Sequence, residues 1–291
     1  MYSLVFDIGH NKFRFTEKCL EANPSCNIVA VDAIDFSKWA KVDDESRRDF
    51  NEAIATLSRL KSKYGDRIQV YNNIVTDEEG CEETINIHTV ATGKSTAMDM
   101  DEHMDQSRFF NGNKYILEEY NNVMTTHTGI KTPLEEYIMG LKHNYGSVKN
   151  AISTAALPYY QEETVLTTTL DSLISKEGVP DLIKIDVEGY EHKVIKGLTE
   201  KANKICFEFT EEMDYCLYES FLHLQSLGYE SFGICGFFEE GNGHRYLTYD
   251  SNGDTPFREP EEYFSMEYVM LDLRKILHPK RRVNWGMAWV K

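Results

Sequence analysis

The sequence predicts an α/β fold in which a mostly parallel sheet of about seven strands has helices on both faces. Short apolar runs, which are typical of buried strands, alternate along the chain with segments whose apolar residues recur at helical spacing. Two of the apolar runs end in a carboxylate, at Asp32 and Asp186. No internal repeat or low-complexity linker separates these elements, so we expect a single domain over residues 1–291.

The first half of the chain is predicted to form parallel strands with helices between them. Each predicted strand is a short apolar run, and each predicted helix has apolar residues on one face. The alternating segment 84–88 predicts an antiparallel edge strand or one arm of a hairpin. The other predicted elements are, in order, a strand over 3–7, a helix with Phe13, Thr16 and Leu20 on one face, a strand over 27–32, a helix over 45–64 closed by Gly65, and a strand over 67–71.

The second half resumes this alternation after a less regular stretch at 93–160, which we interpret as an inserted cap region. The core is then expected over about 1–92 and 161–291. The predicted elements after the insertion are a strand over 182–185, a helix with Val194, Ile195 and Leu198 on one face, a strand over 204–209, a helix over 215–227 closed by Gly228, and last strands over 230–235 and 266–273.

The composition narrows the class of partner. A net charge of −17 disfavours nucleic acid, because phosphates are bound by clustered Lys and Arg. The chain has no run of about 18 apolar residues that would predict a membrane span, and its N-terminus lacks the pattern of a signal peptide. Its six cysteines form no CxxC pair, which is typical of a reducing compartment. We therefore expect a cytoplasmic protein.

The segment after the strand at 182–185 carries the strongest site prediction. Asp186, Glu188 and His192 follow this strand, and ligands of open α/β sheets bind beyond the carboxyl ends of the strands. Any of the three could act as a general base, or they could hold a divalent ion, and the residues alone leave both alternatives open. Lys184 shares a face with Asp186 and needs a partner if it is buried; Asp7 or Glu208 could supply it in a structural ion pair.

A second prediction concerns a nucleoside site. Gly9 follows the first strand, where a residue without a side chain would let the backbone approach a nucleoside closely. Asp32 ends the next strand and is suited to accept hydrogen bonds from ribose hydroxyls. This arrangement fits S-adenosylmethionine (SAM) and NAD equally well. Asn72 and Asn73, after the third strand, fit either a contact with adenine or a turn that needs short polar side chains.

The segment Thr169-Leu-Asp-Ser-Leu … Asp181-Leu-Ile-Lys-Ile-Asp-Val-Glu-Gly-Tyr-Glu closely resembles the signature of the FkbM family of SAM-dependent O-methyltransferases. The family pattern Asp-x-Gly-x-Asn-x-Gly also matches at Asp7, Gly9 and Asn11. It departs at Phe13, where the family has a second glycine and a side chain could narrow the SAM site. The resemblance covers residues 3–90 and 163–275.

The resemblance implies a class I methyltransferase with a Rossmann-like sheet, which methylates a hydroxyl of a sugar in a glycan or glycoconjugate. It places the acceptor beside Asp186, Glu188 and His192. Two alternatives remain: an NAD-dependent oxidoreductase acting on a sugar nucleotide, and a non-catalytic binding module, for which Phe13 is the best argument. The residues that the resemblance assigns to SAM are Asp7, Gly9, His10, Asn11, Asp32, Asn72 and Asn73.

Overall fold

The computed structural model describes residues 2–41, 47–88, 95, 97, 160–210, 214–237, 259–260, 262–270 and 285–291. The predicted cap at 93–160 therefore lies almost wholly outside the described residues. The described elements are β1 Leu4–Ile8, α1 Arg14–Ala22, β2 Asn27–Asp32, α2 Phe36–Trp39, α3 Arg48–Tyr64, β3 Ile68–Asn72, β4 Ile74–Val75, β5 Glu82–His88, β6 Tyr160–Thr168, α4 Leu170–Glu177, β7 Leu182–Ile185, α5 Glu191–Lys196, β8 Ile205–Thr210, α6 Asp214–Ser226, β9 Phe232–Phe237 and β10 Trp285–Val290.

Seven strands form one sheet in the order β3-β2-β1-β7-β8-β10-β9. Neighbouring strands from β3 to β8 run parallel, whereas β10 is antiparallel to both of its neighbours. The chain builds outward from β1 to β3 and then returns to place β7 on the other side of β1. This reversal opens a crevice at the carboxyl ends of β1 and β7, where open α/β sheets bind their ligands. The predicted seven-stranded, mostly parallel sheet is confirmed.

Helices cover both faces of this sheet, as predicted. Successive side chains of a strand point to opposite faces, and the buried β1 illustrates the division. Phe6 packs in a core that includes residues of α4, α5 and α6. Val5 packs in a second core with residues of α1 and α3. Among the described helices, none combines the length and the apolar character that crossing a membrane would require.

A second sheet of three strands, in the order β4-β6-β5, adjoins the carboxyl end of β3. The strand β5 pairs antiparallel with β6, which confirms the prediction for 84–88, and β4 pairs parallel with β6. A third core joins the two sheets at this point and contains Ile34, Phe36, Ile74 and Ile85. The small sheet thus forms one side of the crevice.

The predicted last strand over 266–273 is wrong for residues 266–270, and residues 271–273 lie outside the described part of the chain. Residues 266–270 are helical, and the last strand of the sheet is β10. Met266 and Val269 are buried while the two residues between them are exposed, which is the spacing of a helix face. Sequence reasoning missed β10 of the main sheet, which is the apolar run Trp285-Gly-Met-Ala-Trp-Val, and it did not predict β4 and β6 of the small sheet.

Candidate functional site

A cleft lies at the carboxyl ends of the central strands, between the main sheet and the small sheet. Its volume is about 670 Å³ including the part open to solvent. The lining residues are Ile8, Gly9, Asn11, Val31, Asp32, Ala33, Ile34, Asn73, Ile74, Val75, Ile85, Ser95, Ala97, Asp186, Val187, Glu188 and Tyr190. Six of the ten residues predicted from the sequence are among them.

Asp32 stands at one end of the cleft in a fixed orientation. Its Oδ1 accepts a hydrogen bond from the backbone N–H of Ile34 at 2.9 Å, and its Oδ2 accepts one from the N–H of Asn11 at 2.9 Å. The side chain is 10% exposed. A carboxylate has about four acceptor positions, so these two donors leave acceptor capacity for hydroxyl groups of a ligand. The end of β2 therefore presents an oriented carboxylate to the cleft.

Position 9 must be a glycine because the carbonyl oxygen of Asp186 leaves no room there for a side chain. Its φ is 72°, and a Cβ at this position would lie 1.8 Å from the carbonyl oxygen of Asp186. The sequence reading attributed the missing side chain to the approach of a nucleoside. In the structure, the immediate reason is the contact between the loop after β1 and the turn after β7, which brings the two walls of the cleft together.

Phe13 does not enter the cleft. Its backbone is left-handed, with φ of 60°, and its ring is 1% exposed in the core beneath α1. The ring stacks on His10, with ring centroids 3.7 Å apart. A left-handed backbone favours glycine, which gives a physical reason for the glycine of the family pattern at this position. The argument that Phe13 narrows the site, and with it the main support for a non-catalytic module, is removed.

His10 is buried behind the same loop. The ring is 4% exposed, and its Nδ1 lies 3.0 Å from the carbonyl oxygen of Asn11 and 3.8 Å from Oδ2 of Asp32. Burial lowers the pKa of His10, against the opposing effect of the Asp32 carboxylate. His10 therefore does not line the cleft, and its ring packs behind the loop after β1.

We expect Phe13→Gly to destabilise the fold by about 2 to 4 kcal/mol. Removing a buried Phe ring lowers the free energy of unfolding by about 3–5 kcal/mol. Glycine adopts the left-handed backbone of position 13 without strain, which offsets about 1 kcal/mol of this loss. Urea unfolding measures the difference, with Phe13→Leu as a control that keeps an apolar side chain and should lose less. An unchanged or higher stability in the glycine variant would contradict the buried position of this ring.

Asp7 lies beneath the cleft, where its carboxylate binds the side chains of Thr16 and Lys184. Thr16 Oγ1 donates a hydrogen bond to Asp7 Oδ2 at 2.6 Å, and Lys184 Nζ is 3.2 Å from Oδ1. Lys184 also donates to the carbonyl oxygen of Gly9 at 2.7 Å and is 3.4 Å from Asp186 Oδ2. The predicted structural ion pair between Lys184 and Asp7 is confirmed. Asp7 is fully buried and does not line the cleft.

Carboxylates gather at the opposite end of the cleft from Asp32. One oxygen from each of Asp186, Glu188 and Glu208 lies within 4.8 Å of the others. Burial, together with the carboxylates of Asp186 and Glu188, raises the pKa of Glu208 well above its usual range. Glu208 and Asp186 are also within hydrogen-bonding reach of each other. Sequence reasoning considered Glu208 only as a partner for Lys184; the missed signal was a lone carboxylate within the apolar run of β8.

The turn after β7 shapes this end of the cleft. Glu188 has a left-handed backbone with φ of 54°, and the carboxylate of the following helix residue Glu191 accepts hydrogen bonds from the turn. The ring of Tyr190 lines the cleft, and its hydroxyl donates a hydrogen bond to Glu83 of β5. This bond ties the turn to the small sheet. The pattern of the sequence did not single out Tyr190 or Glu83.

His192 lies outside the cleft. It is half-buried on α5, in the electrostatic surroundings of Lys196, Lys193 and Glu219, and burial lowers its pKa. The structure thus brings Asp186 and Glu188 together but leaves His192 apart from them.

The two asparagines after β3 serve the turn that they form. Asn72 donates from Nδ2 to the carbonyl oxygen of Asp32 at 2.9 Å and does not line the cleft. Asn73 lines the cleft and donates from Nδ2 to the carbonyl oxygen of Leu166 at 3.0 Å. Both side chains therefore satisfy backbone acceptors, and Asn73 alone of the two is placed to contact a ligand.

The seven-stranded sheet with one antiparallel strand and the cleft at the carboxyl ends of its central strands define the Rossmann-like fold of class I methyltransferases. A family model described as the methyltransferase FkbM domain matches residues 7–231, and the chain belongs to this family. The family assignment agrees with the predicted resemblance.

Comparison with solved structures finds distant neighbours, among them two methyltransferases. A crystal structure of a methyltransferase FkbM from Methylobacillus flagellatus KT is 12% identical, with a TM-score of 0.40, over 80% of this chain and 39% of that chain. This chain thus spans well under half the length of that relative. A precorrin-6y C5,15-methyltransferase from Geobacter metallireducens GS-15 is 8% identical, with a TM-score of 0.33, over 99% of this chain and 80% of that chain. No curated protein matches the chain by sequence.

Proposed function

We propose that this chain is a SAM-dependent O-methyltransferase that methylates a hydroxyl of a sugar in a glycan or glycoconjugate. The observation that carries the proposal is a single cleft with an oriented carboxylate at the end of β2 and a group of carboxylates after β7, in a chain of a methyltransferase family. The negative charge of the cleft favours a neutral acceptor over one bearing phosphate or carboxylate groups. The choice of a sugar rests on the resemblance to the family.

The residues of the cleft fit a nucleoside cofactor. Asp32 has acceptor capacity for two ribose hydroxyls, and Ala33, Ile34 and Ile74 form an apolar wall suited to a nucleobase. Asn11 and Gly9 bring backbone close to the same space. When bound, SAM supplies a methyl group that is already activated on a sulfonium.

Asp186 is the residue that we assign to the acceptor hydroxyl. Its carboxylate lines the cleft and is 29% exposed, and the ammonium of Lys184 lies 3.4 Å from its Oδ2. Asp186 would accept the proton of the acceptor hydroxyl as the methyl group moves from the sulfonium sulfur of SAM to the acceptor oxygen, with S-adenosylhomocysteine as the leaving group. Asp186, Glu188 and Glu208 also present the oxygen donors that a divalent cation prefers, and such an ion would acidify the hydroxyl instead.

The oxidoreductase alternative is weakened by the order of the strands. Dinucleotide-binding folds of the Rossmann type have parallel strands in the order 3-2-1-4-5-6. Here the antiparallel β10 lies between β8 and β9, which departs from that pattern. NAD is nevertheless a necessary comparison ligand, because an acid at the end of the second strand suits its ribose as well.

The first experiment is a thermal melt with S-adenosylhomocysteine (SAH), SAM and NAD in parallel. A ligand at 100 times its dissociation constant adds about 2.7 kcal/mol of stability, which is a shift of about 2–4 °C for a chain of this size. We expect a shift with SAH and SAM and none with NAD. A shift with NAD alone would support the oxidoreductase, and no shift with any ligand would support the binding module.

We expect Asp32→Ala to weaken SAH binding by at least about 100-fold, because hydrogen bonds to a charged group contribute about 1.5–3 kcal/mol each. Titration calorimetry measures the change in dissociation constant. The matched control is Asp35→Ala, which removes a carboxylate that caps α2 through Ser37 and does not line the cleft. Wild-type affinity in the Asp32 variant would overturn the ribose assignment.

A further inference from the structure

We propose that Glu191 is a positioning residue: its carboxylate is the acceptor that holds the turn 187–189 and thereby places Asp186 and Glu188 in the cleft. The assignment of these two carboxylates to an acceptor rests on the function proposed above. The holding of the turn itself does not depend on that function.

The hydrogen bonds of Glu191 run backward along the chain to the turn that precedes it. Its Oε1 accepts from the backbone N–H of Val187 at 2.9 Å and from that of Gly189 at 3.3 Å. The side chain is 5% exposed, so water does not compete for these donors. One oxygen therefore gathers the two N–H groups that flank Glu188.

The turn needs such an acceptor because its backbone is unusual. Glu188 has a φ of 54° and Gly189 a φ of 98°, so two successive residues are left-handed. A left-handed conformation costs about 1–2 kcal/mol for a residue with a side chain and persists only where the surroundings fix it. In this turn, Glu191 provides that constraint from the first residue of α5.

The turn determines the shape of the cleft at two points. Asp186, Val187 and Glu188 all line the cleft. Asp186 and Val187 also lie against Gly9, where the carbonyl oxygen of Asp186 leaves no room for a side chain. A displaced turn would move the carboxylates and disturb the loop after β1 together. Glu191 is not among the lining residues, so its effect on the cleft passes through the turn.

The electrostatics of Glu191 indicate which substitution preserves this role. Burial raises the pKa of Glu191 to about 7, although the hydrogen bonds that it accepts from backbone N–H groups lower this pKa. The negative charge is thus not strongly favoured at this position. Glutamine keeps the Oε1 acceptor without the charge, whereas leucine has a similar size and no acceptor.

The experiment compares Glu191→Gln with Glu191→Leu by amide hydrogen exchange and by methyl transfer from SAM to glycan acceptors. Exchange at Val187 and Gly189 reports the turn without any substrate. We expect the glutamine variant to retain protection and turnover. We expect the leucine variant to lose protection at both amides and to lose about 10- to 100-fold in kcat, because small misplacements of reacting groups have effects of this size. The SAH dissociation constant should change much less than kcat.

Each outcome bears on the proposal. Wild-type exchange and turnover in the leucine variant would overturn it. Equal loss in both variants would also overturn it, because the charge of Glu191 would then be the required feature. If the leucine variant does not fold, Glu191→Asp takes its place, since it keeps the charge and shortens the reach by one methylene; retained protection of the two amides would overturn the proposal. Failure of the wild type to transfer methyl groups would count against the proposed function and leave the exchange comparison intact.

Discussion

Asp186→Asn is expected to lower kcat by about 10²- to 10⁴-fold, the range that general base catalysis contributes, while SAH binds the variant as it binds the wild type. Asparagine keeps the size of the side chain and one acceptor oxygen, but it does not take up a proton. Asp186 lines the cleft among the carboxylates after β7, and Asp32 lies at the end of β2. The substitution should therefore lower kcat and leave the affinity for SAH unchanged.

The matched control for this prediction is Asp181→Asn at the opposite end of β7. Asp181 accepts hydrogen bonds from the backbone N–H of Ser3 and of Leu4, far from the cleft, and this variant should keep its turnover. Single-turnover assays with a glycan acceptor separate the chemical step from binding. Retained turnover in Asp186→Asn would show that another residue acts as the base. Glu188 would be the first candidate, because it lines the cleft in the same turn.

A requirement for a divalent ion would give a different signature. If Asp186, Glu188 and Glu208 held such an ion, turnover of the wild type would fall on chelation and return on addition of the metal. Substituting Glu208 by glutamine separates the two mechanisms. Glutamine retains a hydrogen-bond donor toward Asp186, so metal-free turnover should persist, whereas loss of a charged ligand should weaken the binding of a divalent ion.

The elements of the core could be predicted from the sequence because their patterns are unambiguous. The strand β2 over Asn27–Asp32 is an apolar run buried on both faces, and its predicted bounds are those of the structure. The last strand could not be found in this way. In the segment 266–270, apolar residues three apart on a helix face were taken for a strand, and the run of β10 was overlooked. Short apolar runs do not distinguish the two structures.

The residues of the cleft were predicted where the motif coincides with the end of a strand. Asp32 is the last residue of β2 and Asp186 directly follows β7, so topology places both at the crevice. Asp7 is matched by the same motif but occupies an interior position of β1, whose alternation directs it toward α1 and Thr16. A sequence motif does not reveal which of its members faces the ligand and which supports the backbone.

The remaining members of the site depend on contacts between distant segments. Glu208 reaches the carboxylates because β8 is the neighbour of β7, and Glu83 meets Tyr190 because the small sheet packs beside the turn. Neither proximity follows from the local pattern. The sequence therefore predicted where in the fold the cleft lies, but it predicted only some of the carboxylates that gather after β7.

Lys184→Met is expected to destabilise the protein by about 3–5 kcal/mol, the typical cost of removing one partner of a buried ion pair. Lys184 is 2% exposed and Asp7 is fully buried, so the variant would leave the Asp7 carboxylate in the core with the hydroxyl of Thr16. Methionine fills most of the space of the lysine stem, which limits the contribution of a cavity. Urea unfolding at neutral pH measures the loss.

The pH of this experiment follows from the sign of the pKa shift. Burial alone would lower the pKa of Lys184, but the carboxylates of Asp7 and Asp186 outweigh it and raise the pKa above the ordinary value. A lysine whose folded pKa is raised contributes its stability at every pH below the unfolded value of about 10.4 and loses it only above that value. Measurements at neutral pH therefore report the full contribution of the Lys184 charge.

The double variant Lys184→Met with Asp7→Asn tests whether the loss comes from the unpaired charge. Asparagine at position 7 can still accept the hydrogen bond of Thr16 and carries no charge, so most of the lost stability should return. If the double variant is no more stable than Lys184→Met alone, the hydrogen bond from Lys184 to the carbonyl oxygen of Gly9 is the dominant contribution. Lys184 would then act mainly by fixing the loop after β1, whose Asn11 N–H orients Asp32 at the other end of the cleft.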